Sequence, residues 1–279
     1  MLLDGVRTAE IIQRKIAEEV ARIKEDITLA IFMVGNNQAS QIYVHNKERA
    51  CELVGIKARI YKFDENISQK EIIKVIDECN NDESVTGIMV QLPLPSHLDQ
   101  EALLDRIDPN KDVDGLNIVN QGKLFNNRPT IEPATAKGII TLLKNNNIDI
   151  AGKNAVVVGR SRLVGRPVAM LLMKENATVT ICHSKTVNLK EITKRADILV
   201  VATGKPKMVT EDMVKRDAVV VDVGINRVAG KLCGDVDFEN VQNVAGFITP
   251  VPKGVGPMTI ATLLQNVISC YKIQRNIIE

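Results

Sequence analysis

The chain has 279 residues, of which 45% are hydrophobic and 25% are charged, and its 36 Lys and Arg nearly balance its 34 Asp and Glu. This length fits one large domain or two ordinary ones, and the composition is that of a globular protein rather than a disordered or fibrous one. A net charge of +2, no Trp, and only five Phe and three Tyr argue against a nucleic-acid partner, which would need a basic surface or stacking aromatic rings.

Membrane, export and metal signals are also missing from the sequence. No apolar run approaches the roughly 18 residues of a membrane-spanning helix, and the start MLLDGVRTAE lacks the basic and apolar regions of a secretory signal. The five cysteines are widely spaced without a CxxC pair, which favours a reducing compartment and predicts a cytoplasmic protein. The three histidines have no metal-ligand spacing, so we expect no metal site. Because no apolar run is long enough to span a bilayer, we also expect no membrane partner.

Apolar runs alternate with helical patterns along the chain, which is typical of βαβ units and a parallel sheet. In the first half the pattern predicts strands at Leu29–Val34, Lys57–Phe63 and Val85–Leu92. Between them it predicts helices near Ala9–Lys24, Ala39–Val54 and Gln69–Cys79. The stretch from Pro93 to Pro133 is rich in Pro, Asn and Asp, and we expect loops there with one short helix.

A second series of strands and helices begins at Asn154. Strands are predicted at Ala155–Val158, Thr178–Cys182, Ile198–Ala202 and Ala218–Val223, and helices near Pro167–Glu175 and Leu189–Arg195. Continuous apolar runs such as ILVVA favour strands that are covered on both faces, as in doubly wound sheets. The predicted last helix, Met258–Ile278, is long enough to pack back on the first domain. We therefore expect an α/β protein of two domains, an N-terminal α/β domain and a Rossmann-type doubly wound parallel sheet.

A glycine turn links the first strand of the second half to the next helix. In AVVVGRSRLVGRP, Gly159 allows a sharp turn off the strand and Pro167 suits the first helical turn. The free N–H groups and positive dipole end of such a helix attract a phosphate. Ser161 stands where dinucleotide-binding turns usually carry a second glycine. The turn indicates a nucleotide site, with an ordinary βα loop as the alternative.

The end of the following strand bears on the choice of cofactor. Sites that prefer NAD usually place Asp or Glu about 20 residues after the glycine turn, where it binds the ribose 2′-hydroxyl. Here the strand ends in His183-Ser184-Lys185-Thr186, with no carboxylate. Ser184 and the cations, together with Arg160, suit a 2′-phosphate. The sequence therefore predicts NADP rather than NAD, although Lys185 alone is equally a solvated surface charge.

The first half carries polar residues that suit acid–base chemistry. Ser40, Tyr43 and Lys47 share one stripe of a predicted helix. Gln91 closes a buried strand at the edge where ligands of parallel sheets gather, and Asp114 lies in the turn PNKDVDG. Each has a plainer interpretation, namely a solvated lysine, an amide bonded to its own loop, or an Asp that caps a turn. The stiff loop 249–259 offers a flat wall to an aromatic ligand.

Seven motifs occur in order along residues 40–259: YVxxK, VQLPLP, KDVDG, VVGRSxxVGxP, CHSKT, DVGIN and TPVPxGVGPMT. Together they resemble the bifunctional methylenetetrahydrofolate dehydrogenase/cyclohydrolase family over essentially the whole chain. The resemblance implies oxidation of 5,10-methylenetetrahydrofolate to the methenyl cation with NADP, followed by hydrolysis to 10-formyltetrahydrofolate. It also implies a folate-binding catalytic domain of residues 1–136 plus 257–279, an NADP-binding Rossmann domain of residues 137–256, and a homodimer through the latter.

The resemblance also implies roles for single residues. Lys47 would be the catalytic lysine, tuned by Gln91, while Asp114 would bind the pterin. Tyr43 would stack on the folate ring system with Ser40 beside it. Further substrate contact is implied at Pro257, and cofactor contacts at Gly159, Arg160, Ser161, Ser184 and Ile225.

Two segments depart from the family pattern, and neither touches the implied catalytic residues. Pro133-Ala134-Thr135-Ala136-Lys137-Gly138 lacks the second proline and the cysteine of PCTPxG, which predicts a looser start of the following helix. Lys253 stands where the family usually has glycine. One alternative is that its charge shifts the folate affinity or meets the polyglutamate tail; the other is that the position needs φ > 0, so that a side chain strains the loop.

Two other functions stay open on the residues alone. One is a different Rossmann oxidoreductase, acting with NADP on a small acid. It would need a basic clamp for a carboxylate, and the KDVDG turn has the opposite charge. The other is a non-catalytic nucleotide-binding module, against which the intact set Lys47, Gln91 and Asp114 argues.

Overall fold

The computed structural model describes residues 1–277, and within this range the chain forms two compact units. The three-stranded unit comprises Ile11–Ala134 and the chain from Ile260 on, and the five-stranded unit comprises Met1–Glu10 and Thr135–Thr259. The chain passes between them within three helices, α1 (Gly5–Val20), α6 (Ala134–Asn145) and α10 (Val255–Gln274). No helix of residues 1–277 is long and apolar enough to cross a membrane.

The three-stranded unit is built on a parallel sheet of order β2-β1-β3. Its strands are β1 (Thr28–Val34), β2 (Lys57–Phe63) and β3 (Gly87–Val90). Every residue of β1 and β3 is buried, because helices cover a parallel sheet on both faces. The helices α2 (Gln38–Val54), α3 (Gln69–Asn81) and α4 (Gln100–Arg106) contact the sheet, and the unit also contains α5 (Ile118–Phe125).

The last helix packs within this unit, as the sequence predicts. Asn266 of α10 is fully buried, and its Nδ2 donates hydrogen bonds to Val113 O at 2.8 Å and Glu132 O at 2.9 Å. Two backbone carbonyls that would otherwise be buried without a donor are satisfied in this way. The predicted end of the helix at Ile278 lies outside the described residues, and the helix itself ends at Gln274.

The five-stranded unit has a parallel sheet of order β10-β7-β6-β4-β5. Its strands are β4 (Asn154–Val158), β5 (Thr178–Cys182), β6 (Ile198–Val201), β7 (Val219–Asp222) and β10 (Phe247–Ile248). A separate antiparallel pair is formed by β8 (Asn226–Val228) and β9 (Lys231–Cys233). The helices are α7 (Gly165–Lys174), α8 (Leu189–Thr193) and α9 (Phe238–Val241), with a 3₁₀ turn at Glu211–Met213.

The predicted fold class, an α/β protein with parallel sheets and a Rossmann-type half, is confirmed. Two local predictions are wrong. The first helix starts at Gly5 rather than near Ala9, since Asp4 Oδ1 accepts hydrogen bonds from Val6 N and Arg7 N and caps it there. The stretch 93–133 holds two short helices instead of one, capped by Asp99 and Asn117. Strands β6 and β7 are buried along their length, as their apolar runs predict, whereas β5 is largely exposed because it lies at the edge of its sheet.

Candidate active site

Helix α2 presents its functional stripe to the interior of the three-stranded unit. The helix begins at an Asn37 cap, whose side chain accepts a hydrogen bond from Ser40 N, and ends before Gly55, which has φ 80°. These two ends fix the rotation of the helix. Ser40 and Lys47 are buried and Tyr43 is half-buried, so the stripe predicted from the sequence faces inward.

Lys47 and Gln91 meet at the end of the sheet. Gln91 directly follows β3, and its backbone N–H donates to Phe32 O of β1 at 2.8 Å. Lys47 Nζ donates to Gln91 Oε1 at 2.8 Å, while Gln91 Nε2 donates to Leu92 O at 2.7 Å. The bond to its own loop, which was the plainer interpretation of Gln91, therefore orients the amide so that its oxygen faces the lysine.

Burial disfavours the charged form of Lys47. Loss of water around the amine lowers the pKa of Lys47 below its ordinary value, and the negative charge of Asp114 opposes this shift only in part. Gln91 supplies an acceptor without a charge, so it holds the amine in place without adding a negative charge that would favour the ammonium form. Both features favour the neutral amine.

Asp114 lies in a turn that runs beside β3. Ile88 N donates to Lys111 O at 2.7 Å, and Gly115 takes φ 67° at a point where a Cβ atom would lie 2.6 Å from the backbone of Glu132. Burial raises the pKa of Asp114, and the nearby Lys47 lowers it to a smaller extent. No hydrogen bond to the Asp114 carboxylate is found among residues 1–277, so its oxygens remain available to a ligand.

Ser40 and Tyr43 complete this side of the site. Ser40 is 3% exposed, and its Oγ has no hydrogen-bond partner within the described chain. A buried hydroxyl without a partner costs free energy unless a ligand or water satisfies it. Tyr43 is half-buried, and burial raises the pKa of its phenol, which keeps it neutral. The pair offers a hydrogen-bonding group next to an aromatic ring.

The two glycines of the glycine turn in the five-stranded unit lie too close to neighbouring backbone atoms to allow a side chain. Gly159 has φ 132°, and a Cβ atom there would lie 2.2 Å from Ala202 O. A Cβ atom at Gly165 would lie 2.2 Å from Gly159 O. Ser161 Oγ accepts hydrogen bonds from Val164 N at 3.2 Å and Gly165 N at 3.3 Å. The serine thus holds the start of α7 where the usual pattern has glycine.

The other predicted cofactor residues lie on the carboxyl edge of the same sheet. After β5, a turn closed by His183 N donating to Thr186 Oγ1 at 2.8 Å leaves Ser184 exposed. Arg160 follows β4 and is exposed, as is Ile225 after β7. A hydroxyl and a cation without a carboxylate fit the 2′-phosphate of NADP and would not repel it. Pro257 lies in the first turn of α10 and is half-buried.

The two departures from the family pattern have different outcomes. Lys253 has φ 83°, so the predicted left-handed backbone at this position is found, and its carbonyl accepts a hydrogen bond from Gly5 N at 3.0 Å. Helix α6 begins at Ala134, directly after Pro133, and Ala134 N donates to Asp114 O at 3.2 Å. The expectation that this segment does not touch the implied catalytic residues is therefore wrong, since the start of the helix is bonded to the backbone of Asp114.

Sequence reasoning missed three buried charged residues near these loops. Lys111 Nζ donates to Cys79 O at 3.0 Å and Asp82 O at 2.8 Å, which satisfies carbonyls at the end of α3. Asp222 and Asp235 are almost fully buried in the five-stranded unit. Asp222 lies within the motif DVGIN, which was the only sequence signal for it. No group of three or more His, Cys, Asp or Glu side chains in residues 1–277 is placed to hold a metal ion.

Comparison with known proteins covers both halves of the chain. A family model described as the tetrahydrofolate dehydrogenase/cyclohydrolase catalytic domain matches residues 3–114, and the model of its NAD(P)-binding domain matches residues 133–275. Bifunctional protein FolD of Bacillus cereus (strain AH187) is 51% identical over 276 residues, which cover 98% of this chain and 96% of the relative.

Solved structures agree with these matches. The bifunctional FolD methylenetetrahydrofolate dehydrogenase/cyclohydrolase of Campylobacter jejuni has a TM-score of 0.96 and 45% identity, covering 98% of this chain and 99% of its own. The Trypanosoma brucei enzyme, complexed with NADP cofactor and inhibitor, has a TM-score of 0.94 and 37% identity, covering 99% and 98%. The resemblance found from seven sequence motifs is confirmed. The chain belongs to the tetrahydrofolate dehydrogenase/cyclohydrolase family.

Proposed function

We propose that an uncharged Lys47 serves both reactions of this family at one site, as a neutral neighbour of the developing cation in the oxidation and as the general base in the hydrolysis. The chain is a bifunctional enzyme that oxidises 5,10-methylenetetrahydrofolate with NADP and hydrolyses the methenyl product to 10-formyltetrahydrofolate, and the predicted function is confirmed at this level. The observation that supports the role of the lysine is its buried amine, bonded at 2.8 Å to an uncharged acceptor on Gln91.

The oxidation explains why the amine must be uncharged. Bound NADP would supply the hydride acceptor of this reaction, and the substrate becomes a cation when its one-carbon bridge loses a hydride. An ammonium group beside this bridge would repel the positive charge that develops in the transition state, whereas a neutral amine leaves it unopposed. Burial of Lys47 without a hydrogen-bonded carboxylate lowers its pKa and so favours that neutral form.

The hydrolysis uses the same amine as a general base. Lys47 Nζ takes a proton from a water molecule while the water oxygen attacks the methenyl carbon, which gives an adduct with a hydroxyl group on that carbon. The bond from this carbon to N5 then breaks, N5 takes the proton held on Lys47, and the hydroxyl group releases its proton to solvent, which leaves the formyl group on N10. A base whose pKa is brought towards the working pH combines a deprotonated ground state with useful basicity. Gln91 then acts as a positioning residue, since its fixed Oε1 aims the amine.

Substrate binding follows from the remaining polar groups of this unit. The Asp114 carboxylate, which has no donor among the described residues, is proposed to accept hydrogen bonds from the pterin. The unpartnered Oγ of Ser40 would bind a second polar atom of the ligand, and the half-buried ring of Tyr43 would stack on the folate ring system. Pro257, in the first turn of α10, is proposed to contribute a further substrate contact.

Cofactor binding is assigned to the carboxyl edge of the five-stranded sheet. The Gly159 turn and the start of α7 would receive the pyrophosphate, with Ser161 shaping the turn. Arg160 and Ser184 would bind the 2′-phosphate, and Ile225 would offer an apolar contact. We keep the division into residues 1–136 plus 257–279 for folate and 137–256 for NADP as a proposal. It differs from the compact units mainly in the first ten residues.

The open edge of β5 supports a homodimer. Strand β5 pairs with β4 on one side only, and its Thr180 and Ile181 are exposed. An unpaired edge strand with apolar side chains is a natural place for a second copy to pair. Light scattering after size exclusion should give twice the chain mass of 30.7 kDa. A monomer would refute the dimer. The free cysteines support the proposed cytoplasmic location.

The direct test of the function is NADPH formation from methylenetetrahydrofolate, with NAD run in parallel. We expect turnover with NADP, faster than with NAD, followed by decay of the methenyl absorbance. Turnover of a small hydroxy or amino acid instead would favour the other Rossmann oxidoreductase. Nucleotide binding with no turnover of any folate would favour the non-catalytic module.

A further inference from the structure

Two buried carboxylates lie at the edge of the sheet where the cofactor loops begin. Asp222 is the last residue of β7 and is 2% exposed, and Asp235 follows β9 and is fully buried. Neither carboxylate forms an ion pair with a Lys or Arg side chain among residues 1–277. Buried charges without a cationic partner are costly unless hydrogen bonds satisfy them, so their donors indicate what they do.

Asp235 joins the loops that follow two different strands. Its Oδ2 accepts hydrogen bonds from Thr203 N at 2.6 Å, Thr203 Oγ1 at 3.0 Å and Gly204 N at 2.9 Å, all in the loop after β6. Its Oδ1 accepts a hydrogen bond from Asn226 Nδ2 at 2.8 Å, in the segment after β7. One side chain therefore fixes the separation of these two loops.

Asp222 fixes the backbone around Asp235 and Gly224 by hydrogen bonds. Its Oδ1 accepts hydrogen bonds from Gly224 N at 3.0 Å and Asp235 N at 2.9 Å, and its Oδ2 from Val236 N at 2.9 Å. Burial raises the pKa of Asp222 to about 6, and these backbone donors oppose the shift. The two aspartates thus form one connected network, in which Asp222 binds the backbone of Asp235.

The network is packed without spare room. A Cβ atom at Gly224 would lie 2.2 Å from Asp235 Oδ1, and one at Gly234 would lie 1.8 Å from Asp222 Oδ2. Both glycines are therefore required by the carboxylates rather than by a positive φ. Such close approach fixes the backbone on both sides of each acid.

The aspartate network fixes the position of Ile225 through the residues on either side of it. Ile225 is 49% exposed, so its own side chain does little to anchor it. Its neighbours are both held, since Gly224 N binds Asp222 and Asn226 Nδ2 binds Asp235. We propose that Asp235, through Asn226, is a positioning residue that sets Ile225 and the Thr203–Gly204 loop against the bound NADP.

This inference rests on the proposed function, because it assumes that Ile225 contacts the cofactor. It predicts a selective defect. Loosening the Asn226–Asp235 link should weaken NADPH binding and raise the KM for NADP in the dehydrogenase reaction. The hydrolysis of methenyltetrahydrofolate consumes no cofactor and is assigned to Lys47 in the three-stranded unit, so its kcat should stay unchanged.

A charge exchange tests the link. Asn226→Asp places a second carboxylate against Asp235 Oδ1, and like charges at hydrogen-bond distance repel strongly in a buried site. The double variant Asn226→Asp with Asp235→Asn restores a donor and an acceptor, because the new amide can donate to the new carboxylate and its oxygen can accept from Thr203 and Gly204. The matched control is Asn240→Asp, where an exposed Asn240 Nδ2 donates to Asp237 Oδ2 at 2.5 Å.

The readouts are NADPH binding by fluorescence titration, the KM for NADP, the kcat of hydrolysis and the unfolding temperature. We expect Asn226→Asp to weaken NADPH binding at least about tenfold, the double variant to return to within about threefold of the parent, and Asn240→Asp to change nothing. Should Asn226→Asp not fold, Asn226→Ala removes the same link with a smaller loss of affinity, and the same comparison applies.

Several results would overturn the proposal. Unchanged NADPH affinity in Asn226→Asp or Asn226→Ala would do so, as would equal loss of both activities together with a lower unfolding temperature, since that marks a general structural role. Failure of the double variant to recover affinity while folding normally would also contradict it. Absence of folate turnover in the parent would instead refute the proposed function, and dinucleotide titration would still report on the network.

Discussion

Two buried polar clusters of this protein differ in how completely their ionisable side chains are hydrogen-bonded. In the five-stranded unit, Asp222 and Asp235 are satisfied by backbone and side-chain N–H groups from three loops. In the three-stranded unit, Lys47 has one neutral acceptor in Gln91, and the Asp114 carboxylate has no hydrogen-bond donor among residues 1–277. The first cluster is complete without a ligand, whereas the second is not.

This difference in hydrogen bonding distinguishes a structural role from a catalytic role. A buried carboxylate network in which every oxygen accepts a hydrogen bond from the protein fixes the backbone around it. An incompletely satisfied amine and carboxylate retain a perturbed pKa and open hydrogen-bonding positions, which are typical of functional sites. The comparison therefore assigns a catalytic role to the Lys47 cluster and a positioning role to the aspartate network. The following substitutions test these two assignments.

The largest effect is expected for Lys47→Met. Removing the amine removes the general base, and such groups contribute roughly 10²–10⁴-fold to a rate. We expect methenyl hydrolysis to fall by that factor, measured by the decay of methenyl absorbance, with NADPH affinity retained. Lys70→Met, at an exposed lysine of α3, is the control and should be fully active. Hydrolysis by Lys47→Met at the parent rate would contradict the account.

Opposite pH shifts are expected for Gln91→Glu and Asp114→Asn. Hydrolysis needs the neutral amine, so its rate falls as pH decreases through the pKa of Lys47. A negative charge at position 91 would raise the pKa of Lys47 and move the acid limb of the kcat profile to higher pH. Loss of the Asp114 charge, which raises that pKa, moves the limb to lower pH. Shifts in the same direction would refute the electrostatic coupling.

A smaller, cofactor-specific effect is expected for Arg160→Ala and Ser184→Ala. Hydrogen bonds to a charged phosphate contribute about 1.5–3 kcal/mol, which corresponds to roughly a tenfold or larger loss of NADP affinity. The affinity for NAD, which lacks the 2′-phosphate, should change little. Parallel titrations with both nucleotides measure the ratio. Variants that keep the parent's preference for NADP would remove these residues from the phosphate site.

The smallest effect is expected for Lys253→Gly. The residue has φ 83°, and a left-handed backbone costs a side-chain-bearing residue about 1 kcal/mol. Glycine should therefore raise the unfolding temperature by about 2–4 °C. Lys253→Ala keeps the Cβ atom and should give no increase. Equal unfolding temperatures for the Gly and Ala variants would show that the loop is not strained.

The sequence predicted elements well where local signals agree with packing. Helix α3 has the Ser68–Glu71 capping box, and the structure shows it with both hydrogen bonds. Helix α1 was shifted because its cap comes from Asp4, ahead of the apolar repeat. The β8–β9 pair is short and exposed, so it has no apolar period to detect.

The candidate site was predictable only in part. A helical stripe and a motif order can place Ser40, Tyr43 and Lys47 on one face, as the structure does. Spacing cannot show that residue 91 accepts a hydrogen bond from residue 47, since 44 residues separate them. Nor can it reveal Asp235, whose donors come from two loops that only the folded sheet brings together.

The central claim is that Lys47 carries an uncharged amine, and a site-resolved titration tests it most directly. Lysines labelled with ¹³C at Cε report their ionisation by NMR, and Lys47→Met identifies the signal of Lys47. We expect this signal to titrate well below the ordinary lysine value of about 10.4, because burial lowers the pKa of Lys47. A Lys47 signal that titrates at the ordinary lysine value would contradict the account.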